Sequence, residues 1–142
     1  MSNVLVVAEV RDGNLQKATL SCVTFAREAA QRSGGQVHAL VMGQGVDAAA
    51  GELAKYVDAV HKADGANLAN QVSEAYAQVV AQAAEAAGAT VLAMGASAHG
   101  KDLMPRVAAL WGAGMASDII GFAGEGWPVK RPVQAGNIIA TV

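Results

Sequence analysis

The stretch TVLAMGASAHGKDLMPRVAALWG, residues 90–112, decides the fold. An apolar run of strand character (90–95) passes through GASAHGKD (95–102) into a helical pattern from about Leu103. Strand, turn and helix in that order are the unit of an α/β protein. Read as a pattern, residues 95–102 are G-x-x-x-x-G-K-D, one residue short of the phosphate-binding G-x-x-x-x-G-K-[ST]. That loop wraps phosphates with backbone N–H groups, meets them with its lysine and holds magnesium with its hydroxyl. Asp102 puts a carboxylate where the hydroxyl belongs, and a carboxylate repels phosphate. The segment also follows the fourth strand, not the first. A working nucleotide loop is therefore disfavoured. Asp102 instead reads as the N-cap of a helix from Leu103, with Pro105 in its first turn. Lys101 could still help that helix start to hold an anion.

Strand-like and helix-like runs alternate along the rest of the chain. VLVVAEV (4–10) is a continuous apolar run, as in a strand buried on both faces. RDGNLQK (11–17) is a turn centred on Asp12-Gly13. A helix over 19–35 ends at Gly34 or Gly35, with Cys22, Phe25, Ala26 and Ala29 on one face. QVHALVMG (36–43) is a second buried strand, 46–56 a short helix and 58–64 a short third strand. Residues 69–88 form the clearest helix. Val72, Ala75, Tyr76, Val79, Val80, Ala83, Ala84 and Ala87 make its apolar stripe, and Gly88 caps it. SDIIGFAG (117–124), RPVQ (131–134) and NIIATV (137–142) are β-like. The pattern predicts an α/β fold with a mostly parallel sheet. The chain stops inside the apolar IIATV, which is expected of the front part of a longer polypeptide.

Composition narrows the function. The 142 residues are one domain's worth, 53% hydrophobic and 15% charged, with 16 glycines. The net charge of -2 and pI near 5.8 argue against nucleic acid as a partner. No apolar run reaches the roughly 18 residues of a membrane span. With no signal-like N-terminus and a single cysteine, Cys22, a soluble cytoplasmic protein is expected. Cys22 reads as a small core residue, with a catalytic Cys-His pair left open. His38 and His61 have no ligand-type neighbour in sequence, so no metal is expected. Trp111 and Trp127 suit either core packing or an interface.

The middle stretch carries a resemblance. GASAHGKDLMPRVAALWGAGMASDI (95–119) resembles the signature of the electron transfer flavoprotein alpha subunit family, N-terminal domain. That signature runs G-A-[ST]-x-x-G-K-D-L-x-P-R-[LV]-A, a small-residue stretch, then S-D. Gly95, Ser97, Gly100, Lys101, Asp102, Pro105, Arg106, Ser117 and Asp118 stand in register with it. VLVVAEVRDGNLQKATLSCVTFAREAA (4–30) is similar to the family's opening, and RPVQAGNIIATV (131–142) to its closing strand. His99 and Met104 vary within the motif, Trp111 stands where the family has a plainer residue, and Gln134 replaces a frequent tyrosine.

The resemblance implies a three-layer α/β/α domain, Rossmann-like and of the adenine nucleotide alpha hydrolase-like type, that has lost nucleotide binding. Asp102 is then the family's normal residue. It implies an electron carrier between flavin dehydrogenases and a quinone oxidoreductase or other acceptor. FAD would be held mainly by a C-terminal domain absent from this chain, and AMP by the beta subunit. No catalytic, cofactor-binding or metal-binding residue is expected within these 142 residues. The motif residues are expected to order the turn or to contact the beta subunit, the partner of a heterodimer. Arg106 could pair with Asp102 or Asp118, or reach that partner. Asp118, read at a strand start, suits capping or loop ordering. Alone, the domain would expose an apolar face and could self-associate. The contrasting reading is a free-standing nucleotide module of the universal-stress-protein type. That type needs a glycine after nine residues counted from Gly100, where this chain has Leu110. A Cys22 hydrolase is a third reading, with no supporting spacing.

Overall fold

The computed structural model describes residues 2–70, 72–95, 97–112, 114–119, 121–122, 129–130 and 136–140, with side chains up to residue 112. The chain opens with β1 (Ser2–Val7), a hairpin of β2 (Val10–Arg11) and β3 (Asn14–Leu15), α1 (Lys17–Ser33) and β4 (Gly34–Gly43). Then come α2 (Asp47–Leu53), β5 (Ala59–Asp64), a 3-10 turn at Ala66–Leu68, α3 (Ser73–Ala87), β6 (Ala89–Gly95) and α4 (Ala98–Trp111). Strands β7 (Gly114–Ile119), β8 (Gly121–Phe122), β9 (Val129–Lys130) and β10 (Gly136–Ala140) follow.

The main sheet has the order β5-β4-β1-β6-β10-β7. The first four strands are mutually parallel, while β10 runs antiparallel to both neighbours. Strict alternation along the central strands explains the layering. Leu5 and Val7 of β1, Leu40 and Met42 of β4, and Leu92 and Met94 of β6 share a core with α3 and α4. Val4, Val6, Val37, Ala39, Val41 and Val91 point the other way and pack with α1 and α2. The sheet thus separates two apolar cores in a three-layer α/β/α arrangement. Each fully buried Val or Leu contributes on the order of 1.5–3 kcal/mol.

Several expected boundaries move for local reasons. The first strand stops at Val7, because Asp12 and Gly13 both take positive φ (51° and 78°) and fold residues 10–15 into a separate hairpin. Such a turn matches the strand twist. Gly34 (φ 72°) and Gly88 (φ 63°) end α1 and α3 in the left-handed conformation, as expected. Helix α3 starts at Ser73, and Val72 ahead of it is half exposed rather than part of the apolar stripe. On α1, Val23 and Ala30 join Cys22, Ala26 and Ala29 in the core, while Phe25 is only partly buried. RPVQ (131–134), with Gln134, and Trp127 lie outside the described residues.

Strand order places the site. From β1 the chain moves outward through β4 to β5, then α3 carries it back so that β6 lies on the other side of β1. The winding direction reverses between β1 and β6. In open α/β sheets, ligand crevices form outside the carboxyl ends of strands at such a reversal.

Candidate functional site at the carboxyl ends of the central strands

The turn after β6 is much tighter than its glycine pattern suggests. Gly95 is the last strand residue, and α4 begins at Ala98. Ser97 is the N-cap: its backbone is extended (φ −75°, ψ 171°) and its Oγ accepts from the Gly100 N–H at 3.1 Å. The expectation that Asp102 caps a helix starting at Leu103 is therefore corrected. Gly100, Lys101 and Asp102 already lie inside α4, and Pro105 sits in its interior rather than its first turn. Ser97 wins because its hydroxyl lies three residues before an amide that needs an acceptor. The described residues leave only positions 96 and 97 between strand and helix, too few to wrap a phosphate.

Gly95 has a packing reason. A Cβ there would meet the Ala18 Cβ at 2.9 Å, so the glycine lets the start of α1 close against the end of β6. Asp102 reaches sideways, not along its own helix. Its carboxylate accepts a hydrogen bond from the Ser73 hydroxyl at the first residue of α3. Arg106 lies 3.9 Å from both Asp102 Oδ1 and Glu74 Oε1. These three charged side chains are half exposed or more, so the pairs are loose and each contributes about 0–1 kcal/mol. Asp102, Arg106, Ser73 and Glu74 form a clasp between α3 and α4, with a carboxylate beside the positive end of α3. Ser117 and Asp118 fall in the second half of β7, not at a strand start, and their side chains lie outside the described residues.

The crevice itself has members that the sequence reading passed over. Glu9, just beyond β1, is only 3% exposed, its N–H donates to Thr19 Oγ1 at 3.0 Å, and Arg11 lies 3.5 Å from its carboxylate. An acidic residue at the end of an otherwise apolar strand was the available signal. His99 packs edge-on to Tyr76 with ring centroids 5.6 Å apart. Burial holds its imidazole below the ordinary value, partly offset by the Glu9 and Asp102 carboxylates. The Tyr76 hydroxyl donates to the Leu68 carbonyl at 2.6 Å. Burial, reinforced by Glu9, pushes the Cys22 thiol up to about 12. A buried thiol held in its protonated form is a poor nucleophile, which speaks against the Cys22 hydrolase. Trp111 packs partly against the α3-side core.

A cavity of about 430 Å³ opens between the hairpin tip at Asp12-Gly13, the loop Gly43–Val46 and Tyr76. Two amides in that loop are already taken. Asp64, the last residue of β5, accepts from Gly45 N–H at 3.1 Å and Val46 N–H at 3.2 Å. A dinucleotide phosphate would meet one carboxylate on its donors and another, Asp12, at the rim. His38 and His61, without ligand-type neighbours in sequence, touch across β4 and β5.

A Rossmann-like three-layer domain in which Asp64 holds the Gly45 and Val46 amides beside the cavity is the class that fold and site define. A family model described as "Electron transfer flavoprotein domain" matches residues 4–142. The chain belongs to the electron transfer flavoprotein domain family. It is 41% identical over 142 residues to the "Electron transfer flavoprotein subunit alpha" of Pseudomonas aeruginosa, covering 98% of this chain and 43% of that relative. Proteins of the same name from Clostridium acetobutylicum (32% over 144 residues) and Bacillus subtilis (31% over 142 residues) align over the same shares, 98% and 43%. The chain thus spans 43% of the length of these relatives. Among the described residues, no helix is long and apolar enough to cross a membrane.

Proposed function

We propose that this chain is the N-terminal domain of an electron transfer flavoprotein alpha subunit, acting in the cytoplasm. Its share is structural and not catalytic: it docks a beta subunit and supports a separate C-terminal domain that holds FAD. The assembled protein carries electrons from flavin dehydrogenases to a quinone oxidoreductase or another acceptor, with AMP on the beta subunit. The observation that carries this reading is a family match from residue 4 to residue 142, alongside relatives named as alpha subunits. The crevice supports it too, because Asp64 fills the amide pair that a nucleotide module would offer to phosphate. The same feature speaks against the universal-stress-protein reading.

The motif residues act on contact, not chemistry. Arg106 is held only loosely by Asp102 and Glu74 and is half exposed, so its guanidinium is available to a partner's acidic groups. The test mixes the purified protein with an electron transfer flavoprotein beta subunit and reads complex formation by native mass spectrometry. A one-to-one complex, weakened in Arg106→Ala, is expected. No complex, or AMP bound to this chain alone, would overturn the reading.

A further inference from the structure

Two imidazoles lie away from the crevice and have no part in that reading. His38 is on β4 and His61 on β5, parallel neighbours whose register pairs His38 with Ala59 and Leu40 with His61. Paired residues share a face and alternate residues repeat it. Both histidines therefore lie on the α3 side of the sheet, with Leu40 and Met42. Both are partly exposed. His38 Nδ1 and His61 Nε2 are 2.9 Å apart, and the rings are nearly parallel at 21° with centroids 5.2 Å apart. On the outer side of His38, Nε2 is 3.4 Å from Gln36 Oε1. Asp58 is near enough for its charge to act on His38, while its Oδ2 accepts the Val37 N–H at 2.9 Å.

We propose that His38 and His61 form a bidentate imidazole site for a borderline divalent transition cation, bound through His38 Nδ1 and His61 Nε2. Two nitrogens at about 2.0–2.1 Å from one cation, and at right angles around it, lie about 2.9 Å from each other. That is the observed separation, so small ring rotations bring the two lone pairs onto one point. The balance is simple. In the neutral pair one hydrogen sits between the two nitrogens. On binding, the ring that carries it takes the other tautomer, with the hydrogen on its outer nitrogen. For His38 that nitrogen faces Gln36 Oε1, a suitable acceptor. No proton is released overall: two nitrogen–metal bonds form, while one hydrogen bond and two metal–water bonds of the hydrated cation break. Asp58 adds negative charge nearby. No group of three acidic, histidine or cysteine ligands exists among the described residues, so water completes the shell. Imidazole donors favour Cu²⁺ over Ni²⁺ and Zn²⁺, and all three over Mg²⁺.

The test is calorimetric titration of the purified, tag-free protein with NiCl₂ at pH 7.5, followed by NMR of the histidine rings with substoichiometric CuSO₄. The expected result is one site per chain, with the His38 and His61 ring signals broadened first. His61→Gln and His38→Gln should each weaken Ni²⁺ binding at least about tenfold, since each removes an intramolecular second arm. His99→Gln should leave it unchanged. If His38→Gln fails to fold, His61→Gln on the sheet's edge strand still decides the matter. The proposal is overturned if His61→Gln binds within about twofold of the parent. Broadening centred on His99, or equal affinity for Mg²⁺, would also overturn it.

Discussion

The Asp102 carboxylate accepts a hydrogen bond from the Ser73 hydroxyl, tying the second turn of α4 to the first residue of α3. Ser73 is buried and Asp102 mostly exposed. A bond to a charged group contributes about 1.5–3 kcal/mol when sheltered, and the exposed carboxylate puts this one near the low end. Asp102→Ala should lower stability by about 1 kcal/mol, read by urea unfolding. In a double-mutant cycle, Ser73→Ala should add little once Asp102 is gone. Full additivity would show that the two side chains do not act together.

Gly95 and Ala18 test the closeness of α1 to β6. Gly95→Ala puts a methyl carbon 2.9 Å from the Ala18 Cβ. Overpacking of this kind costs about 1–3 kcal/mol. Ala18→Gly in the same chain should restore most of the loss. Failure of the second substitution to rescue would locate the strain elsewhere.

Pro105 sits inside α4 with an exposed ring. A proline in a helix interior removes one hydrogen bond and is about 3 kcal/mol less favourable than alanine. Pro105→Ala should therefore raise the melting temperature, by several degrees for about 1–2 kcal/mol in a domain of this size. Destabilisation would mean that the ring makes contacts worth more than the missing bond.

Asp64 accepts from the Gly45 and Val46 amides at the cavity rim. Asp64→Ala leaves both without that acceptor and should cost about 1–3 kcal/mol. Asp64→Asn, which keeps one acceptor oxygen, should lose less. Equal losses would assign the effect to charge and not to hydrogen bonding.

Stability should fall at both ends of the pH scale. Burial holds His38 and His99 below their ordinary value of 6.5. The unfolded chain takes up their protons first as the solution becomes acidic. Their contribution is therefore complete above 6.5 and fades as pH drops through the folded values. Cys22 acts at the other end: its folded value is about 12 against an ordinary 9.0. Its contribution is complete below 9 and is lost as pH rises toward 12. Melting curves from pH 5 to 10 should show both declines, and Cys22→Ala should flatten the alkaline one. An alkaline decline of the same slope in that variant would remove Cys22 as its cause.

Much of the architecture was legible in the sequence because alternation and helical periodicity are local. Val4 to Val7 read as doubly buried and are, with alternate residues in two different cores. Gly34 and Gly88 read as helix ends and adopt the left-handed φ that only glycine takes easily. The start of α4 lies earlier than expected because both Asp102 and Ser97 are capping residue types, and Ser97 supplies the cap. His38 and His61 are 23 residues apart in sequence, and nothing in their spacing says that their strands are neighbours. Asp64 on Gly45 and Val46 was hidden for the same reason. Contacts that depend on strand order are invisible until the order is known.

Strand β10 lies between β6 and β7, and this has a consequence for how the polypeptide is made. On the ribosome β7 emerges first, yet among the described residues its ladder partner in the main sheet is β10. Until residues 136–140 have cleared the exit tunnel, β6 presents a bare parallel edge to other nascent chains. The final step of assembly is then an insertion into a gap, not an addition at a margin. A chain stalled before that point would hold only four of the six strands in the sheet, with β7 unpaired.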